Sequence, residues 1–63
     1  MNPLELDLPE GYRIQEVYPG LFIGVVKGRV AFGIRATPLC YLIDEYEPIE
    51  AELKAYLERV LWI

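Results

Sequence analysis

The fold is decided by residues 21–36, which read LFIGVVKGRVAFGIRA. On each side of a central Lys27-Gly28 pair the residues alternate with a period of two, as in a strand that buries one face. Gly28 can adopt the positive φ that a two-residue β-turn requires. The sequence therefore predicts a β-hairpin over residues 21–36.

Counting outward from this turn predicts the register of the hairpin. In a regular ladder Ile23 lies opposite Phe32, and Gly24 lies opposite Ala31. The count gives one apolar face, which we expect a helix to cover, formed by Leu21, Ile23, Val25, Val30, Phe32 and Ile34. The other predicted face is formed by Phe22, Gly24, Val26, Arg29, Ala31 and Gly33. A shift of one residue would mix the two sets.

The segments around the hairpin complete one small domain over residues 1–63. Residues 12–18 and 39–46 read as further strands, so that a β-meander is predicted over 12–46, with a break in alternation at Glu16 and Val17. A helix is predicted over 48–62, because Pro48 suits a first helical turn and apolar residues follow at helical spacing. Residues 1–10 are predicted to form an N-terminal arm or an edge strand. The predicted class is α+β, with three to four antiparallel strands and one C-terminal helix on one face of the sheet.

The residue inventory argues against catalysis. The chain has no His and no Ser, and its one cysteine, Cys40, lies in an apolar segment. A disulfide within the chain and a Cys/His zinc site are therefore excluded, and nothing in the sequence can activate the thiol as a nucleophile in the usual way. We expect a protein that is not an enzyme, with no catalytic residues, no cofactor and no metal, and with Cys40 as a structural thiol.

The charge pattern leaves nucleic-acid binding open as an alternative function. The formal net charge is −4, which disfavours binding to phosphate backbones. The middle of the chain is nevertheless basic, with Arg13, Lys27, Arg29 and Arg35 near aromatic side chains. These four residues could serve a small nucleic-acid-binding β module. A solvated sheet face explains dispersed charges in an acidic chain better.

Cellular location is predicted from two features. No basic segment precedes an apolar run at the N-terminus, and every apolar stretch is interrupted well before the roughly 18 residues that a membrane span needs. We therefore expect a soluble, cytoplasmic protein that does not bind membranes. Few Asn, Gln, Cys and Met residues and many Glu and Leu residues give a composition typical of thermophile proteins.

The apolar content predicts an interaction. Hydrophobic residues make up 54% of the chain, yet a single helix covers only one face of a sheet. We expect a small protein-interaction or regulatory protein that forms a homodimer. The predicted interaction surface comprises Phe22, Gly24, Val26, Arg29, Trp62 and Ile63. The alternative is a monomer in which the N-terminal arm folds over the second face.

The spacing of Gly20, Gly24 and Gly28 has two explanations. The glycines either permit strong twist of the sheet or leave a shallow surface that another backbone approaches closely. The structural explanation is favoured.

Overall fold

The computed structural model describes residues 2–61 and shows an α+β fold. The strands are β1 (Tyr12–Tyr18), β2 (Leu21–Val26), β3 (Arg29–Ala36) and β4 (Tyr41–Glu45), and one helix, α1 (Ala51–Leu61), follows them. The four strands form one antiparallel sheet in the order β1-β2-β3-β4. The predicted class and the predicted meander are confirmed.

The turn between β2 and β3 has the predicted length of two residues. Val26 lies opposite Arg29, and Lys27 and Gly28 have φ values of 53° and 74°. Two successive positive φ values define a type I′ turn, whose twist matches that of the strands it joins. Lys27 is the only described residue other than glycine with a positive φ, so this turn carries a local strain.

We expect opposite effects from two substitutions in this turn. Lys27→Asn places a residue that tolerates positive φ and should leave the stability unchanged or raise it slightly, whereas Gly28→Val should lower the free energy of unfolding by about 1 kcal/mol or more. Urea denaturation followed by circular dichroism measures both variants. Equal stability of the two variants would contradict the assigned turn.

The predicted register of the hairpin is wrong beyond this turn. Val25 lies opposite Val30, but Gly24 then lies opposite Phe32, so that Ala31 is an extra residue in β3. This β-bulge offsets the ladder by one residue, and Ile23 and Phe32 consequently lie on opposite faces of the sheet. A second bulge, between Glu16 and Tyr18 in β1, agrees with the predicted break in alternation.

Two interactions explain the bulge at Ala31. The Phe32 ring lies directly against Gly24, in space that a Cβ atom at position 24 would occupy. The Ala31 carbonyl accepts hydrogen bonds from the amides of Tyr46 and Glu47, at 2.9 and 3.1 Å. The bulge therefore fills the space above a glycine and fastens the end of β4 to β3.

The helix begins three residues later than predicted. The hydrogen bonds to Ala31 hold the chain to the sheet as far as Glu47, so that Pro48 lies outside the helix and the Lys54 amide donates to the Glu50 carbonyl. The buried residues on α1 are Leu53, Leu57 and Leu61. They pack into one core with five apolar residues from the rest of the chain, namely Leu6, Phe22, Ala31, Phe32 and Ile34.

The N-terminal segment is not a strand. A 3₁₀ turn at Pro3–Glu5, capped by the Asn2 side chain, leads into extended chain that places Leu6 in the core. The Asp7 amide donates a 2.9 Å hydrogen bond to the hydroxyl of Tyr56 on α1. The segment therefore packs beside the helix, and the opposite face of the sheet receives no cover from it.

Candidate interaction surface

One face of the sheet has no element packed on it within the described residues. Alternation from the buried Phe22 places Leu21, Ile23 and Val25 on this side of β2. Val30 lies opposite Val25 across the β2–β3 ladder. Leu21 lies opposite Arg35, which in turn lies opposite Leu42 on β4. We call the surface formed by Leu21, Ile23, Val25, Val30 and Leu42 the open face.

The open face is apolar and accessible to solvent. Leu42 is 42% exposed and Val30 is 36% exposed, while the three residues of β2 are half-buried between their neighbours. The ring of Tyr46, itself 61% exposed, lies against Gly33 on the same side. Branched side chains around a glycine covered by an aromatic ring make a shallow, water-facing patch of the kind that protein interfaces use.

Charged groups lie beside this patch and within it. Arg35 donates to Asp44 through Nε, at 2.9 Å from Oδ2, and through Nη2, at 3.3 Å from Oδ1. These hydrogen bonds and the charge of Asp44 raise the pKa of the Arg35 guanidinium above its ordinary value. At the β1 side, Arg13 lies in the row of Val25 and forms no salt bridge with any described residue. The patch therefore has a cation at its β1 side and contains a neutralised pair, whose arginine lies between Leu21 and Leu42.

The described members of the predicted interaction surface do not lie together on one surface. Phe22 and Gly24 are buried on the helix-covered face, and Val26 is half-buried against the same core. Arg29 is exposed and forms a 3.4 Å ion pair with Glu47. Trp62 and Ile63 lie outside the described residues.

The three β2 residues of the open face were assigned to the helix-covered face by the sequence. The bulge at Ala31 reverses the assignment, because it offsets β2 by one position relative to β3. One available signal was the pairing of Gly24 with Phe32, which a bulge permits and which lets an aromatic ring cover a glycine.

The four basic residues do not form one patch. Arg29 and Arg35 are in ion pairs, and Lys27 lies at the tip of the hairpin. Arg13, on β1, lies opposite Val25, whereas Arg35, on β3, lies opposite Leu21 near the other end of β2. This arrangement gives the nucleic-acid alternative no continuous basic surface.

A groove runs along the free edge of β4. It has a volume of about 280 Å³ and is lined by Tyr41, Leu42, Ile43, Glu58 and Leu61. A second, more open cavity of about 310 Å³ lies between the N-terminal segment and the start of α1, lined by Asp7, Leu8, Pro9, Glu50, Glu52, Leu53 and Tyr56.

No group of three or more potential metal ligands occurs among residues 2–61.

Cys40 belongs to the turn before β4, not to the strand itself. The Thr37 hydroxyl donates to the Cys40 carbonyl at 2.7 Å and accepts from the Cys40 amide at 2.9 Å. It also lies 3.6 Å from the sulfur of Cys40, which is half-buried. The thiol therefore sits within a hydrogen-bonded turn.

Comparison with known proteins adds no relationship. No protein-family model, no curated protein and no solved structure matches this chain. In the part of the chain that the structure describes, no helix is long and apolar enough to cross a membrane.

Proposed function

We propose that this chain is a non-enzymatic protein-interaction protein and that it pairs with a second copy of itself through the open face. The observation that carries the proposal is the apolar side of the sheet that no element among residues 2–61 covers. Both the helix and the N-terminal segment pack on the other side, around Phe32 and Leu57. The open face thus keeps branched apolar side chains in water, at a free-energy cost of about 25 cal/mol for each Å² that association would bury.

A dimer through the open face would bury a substantial part of the surface of each copy. A specific interface buries about 600–800 Å² on each partner, roughly one sixth of the 4479 Å² accessible surface of this protein. Two such sheets can stack face to face with their strands within about 30° of each other. The result is a β-sandwich between two copies, with a helix on each outer side.

The position of Arg13 is compatible with a two-fold arrangement. A two-fold axis that lies between the stacked sheets, parallel to the strands, places β1 of one copy over β4 of the other. Each Arg13 then lies over the β4 side of the other copy, so that the two arginines are on opposite sides of the dimer. This geometry is closed and uses one surface twice, as most homodimers do.

The non-enzymatic part of the proposal rests on the sequence, which has no His and no Ser. The nucleic-acid alternative is disfavoured by the ion pairs of Arg29 and Arg35. Oligonucleotide binding that weakened steeply with salt would favour it instead.

Sedimentation equilibrium tests the proposed dimer. We expect a species of twice the 7.3 kDa chain mass at micromolar concentrations. Ile23→Lys, at the centre of the open face, should give a folded monomer, because burying a lysine without a partner is costly. Leu39→Lys is the matched control, since Leu39 is 84% exposed and lies outside the open face, and it should leave the dimer intact. A wild-type mass of 7.3 kDa at all concentrations would refute the dimer.

A further inference from the structure

The segment that precedes β1 forms a unit of its own, which we call the strap (residues 2–10). It contains the 3₁₀ turn Pro3–Glu5, and a turn after Pro9 separates it from β1. The Leu6 amide donates to the Pro3 carbonyl at 3.2 Å, so that this hydrogen bond lies entirely inside the strap. The strap therefore has local structure of its own, which no residue of the sheet provides.

Few interactions hold the strap against the rest of the molecule. Apart from the turn into β1, one hydrogen bond joins it to another element among the described residues, from the Asp7 amide to the Tyr56 hydroxyl at 2.9 Å. Two of its side chains, Pro3 and Leu6, are buried, whereas Leu4 is 45% exposed. These few contacts must offset the chain entropy that is lost when the whole segment becomes ordered. The strap is therefore held weakly.

The seam between the strap and α1 is not close-packed. It contains the more open cavity, of about 310 Å³, which has Asp7 and Leu8 on one wall and the start of α1 on the other. Three carboxylates line this cavity, those of Asp7, Glu50 and Glu52, and no described lysine or arginine does. Empty space gives the strap few van der Waals contacts with the helix, and charges of like sign oppose its closure.

Most of the core does not depend on the strap. Leu57 and Leu61 of α1 pack with Phe32 and Ile34 of β3, and Leu6 is the one strap residue in this cluster. The four strands are joined to one another in a single antiparallel sheet. The sheet and α1 therefore keep their contacts with each other when the strap moves away.

We propose that the strap opens and closes as a unit while the sheet and α1 stay folded, and that the Tyr56 hydroxyl is the latch that holds it closed through Asp7. Such an opening is the local unfolding of one cooperative segment. It removes Leu6 from the core and uncovers the side of α1 at Leu53. The strap lies on the helix-covered side of the sheet, so that its opening is independent of the proposed dimer through the open face.

Native-state hydrogen exchange of the ¹⁵N-labelled full chain tests the opening. We expect the Leu6 and Asp7 amides to show the same protection, at least tenfold below that of the slowest amides of β2 and β3, which report global unfolding. Their protection should also depend less on urea, because the opening exposes less surface than global unfolding does. Protection of Leu6 that is absent, or equal to that of the sheet, would overturn the proposal. So would protection that rises with protein concentration, because the strap would then pack on a second copy.

A variant outside the strap separates local opening from global unfolding. Gly28→Val strains the hairpin turn and should lower the protection of the slowest sheet amides about fivefold or more. It should leave the protection of Leu6 unchanged, because the turn is the same whether the strap is open or closed. An equal loss at Leu6 would show that the strap opens only when the whole molecule unfolds, and would refute the proposal.

The latch is tested by removing one hydroxyl group. Tyr56→Phe keeps the ring and should make the Leu6 amide exchange about three- to tenfold faster, although Leu6 keeps its own acceptor inside the strap. Tyr41→Phe is the matched control and should leave this exchange unchanged. Tyr41 is also half-buried against the core, and its hydroxyl forms no hydrogen bond with any residue from 2 to 61. Equal effects of the two variants, or no effect of Tyr56→Phe, would exclude Tyr56 as the latch.

Discussion

Gly24→Ala is expected to lower the free energy of unfolding by about 3 kcal/mol, the upper end of the range for an overpacked core. The added Cβ would overlap the Phe32 ring, which is completely buried among the residues of the core. Urea denaturation measures the effect.

A second buried glycine gives the matched control for this substitution. At Gly33 an added Cβ would lie 3.2 Å from the Tyr46 ring, which is mostly exposed and can move away. We therefore expect Gly33→Ala to be near neutral. In the Gly24→Ala background, Phe32→Leu should cost less stability than it does in the wild type, because the smaller side chain relieves the overlap. Equal costs of the two alanine substitutions would contradict the described packing.

Leu57→Ala is expected to lower the free energy of unfolding by about 2–5 kcal/mol. Leu57 has no exposed surface and lies in the middle of the core-facing side of α1. For a chain of this size, whose total stability is on the order of 3–9 kcal/mol, such a loss leaves little of the folded state. Thermal and urea denaturation both measure it.

The control for Leu57 is the same substitution at Leu39. Leu39 is 84% exposed, so its removal creates no cavity and should change the stability by less than about 0.5 kcal/mol. A similar loss for both variants would show that α1 does not contribute the buried face assigned to it. Comparing the two variants also separates the effect of the buried position from any general effect of replacing a leucine by alanine.

Much of the fold could be predicted because its signals are local. The Lys27-Gly28 turn, the meander and the apolar stripe of α1 each depend on a few neighbouring residues, and the structure contains all three. The bulge depends instead on the space above Gly24 and on hydrogen bonds from Tyr46 to Ala31, which join segments distant in sequence. Periodicity does not detect such contacts.

The error in the predicted register explains why the predicted interaction surface contains the wrong residues of β2. One extra residue, Ala31, reverses the faces of β2, which moves Phe22 and Gly24 into the core and places the half-buried Ile23 on the opposite side. In the described part of the chain one sheet face still has no element packed on it, as expected, but the residues on that face are different. The start of α1 was misplaced for a related reason, since the bond from Glu47 to Ala31 keeps Pro48 outside the helix.

The order of the strands also determines how much chain entropy is lost when each contact of the fold closes a loop. Each strand pairs with its neighbour in sequence, across connections of two or four residues, whereas the hydrogen bond from Asp7 to Tyr56 joins residues 49 positions apart. Closing so long a loop in an unstructured chain costs about 2 kcal/mol more than closing a four-residue one. This excess disappears once the meander and α1 have brought the two ends together. The N-terminal segment therefore depends on the rest of the molecule for its order, while the meander can form without it.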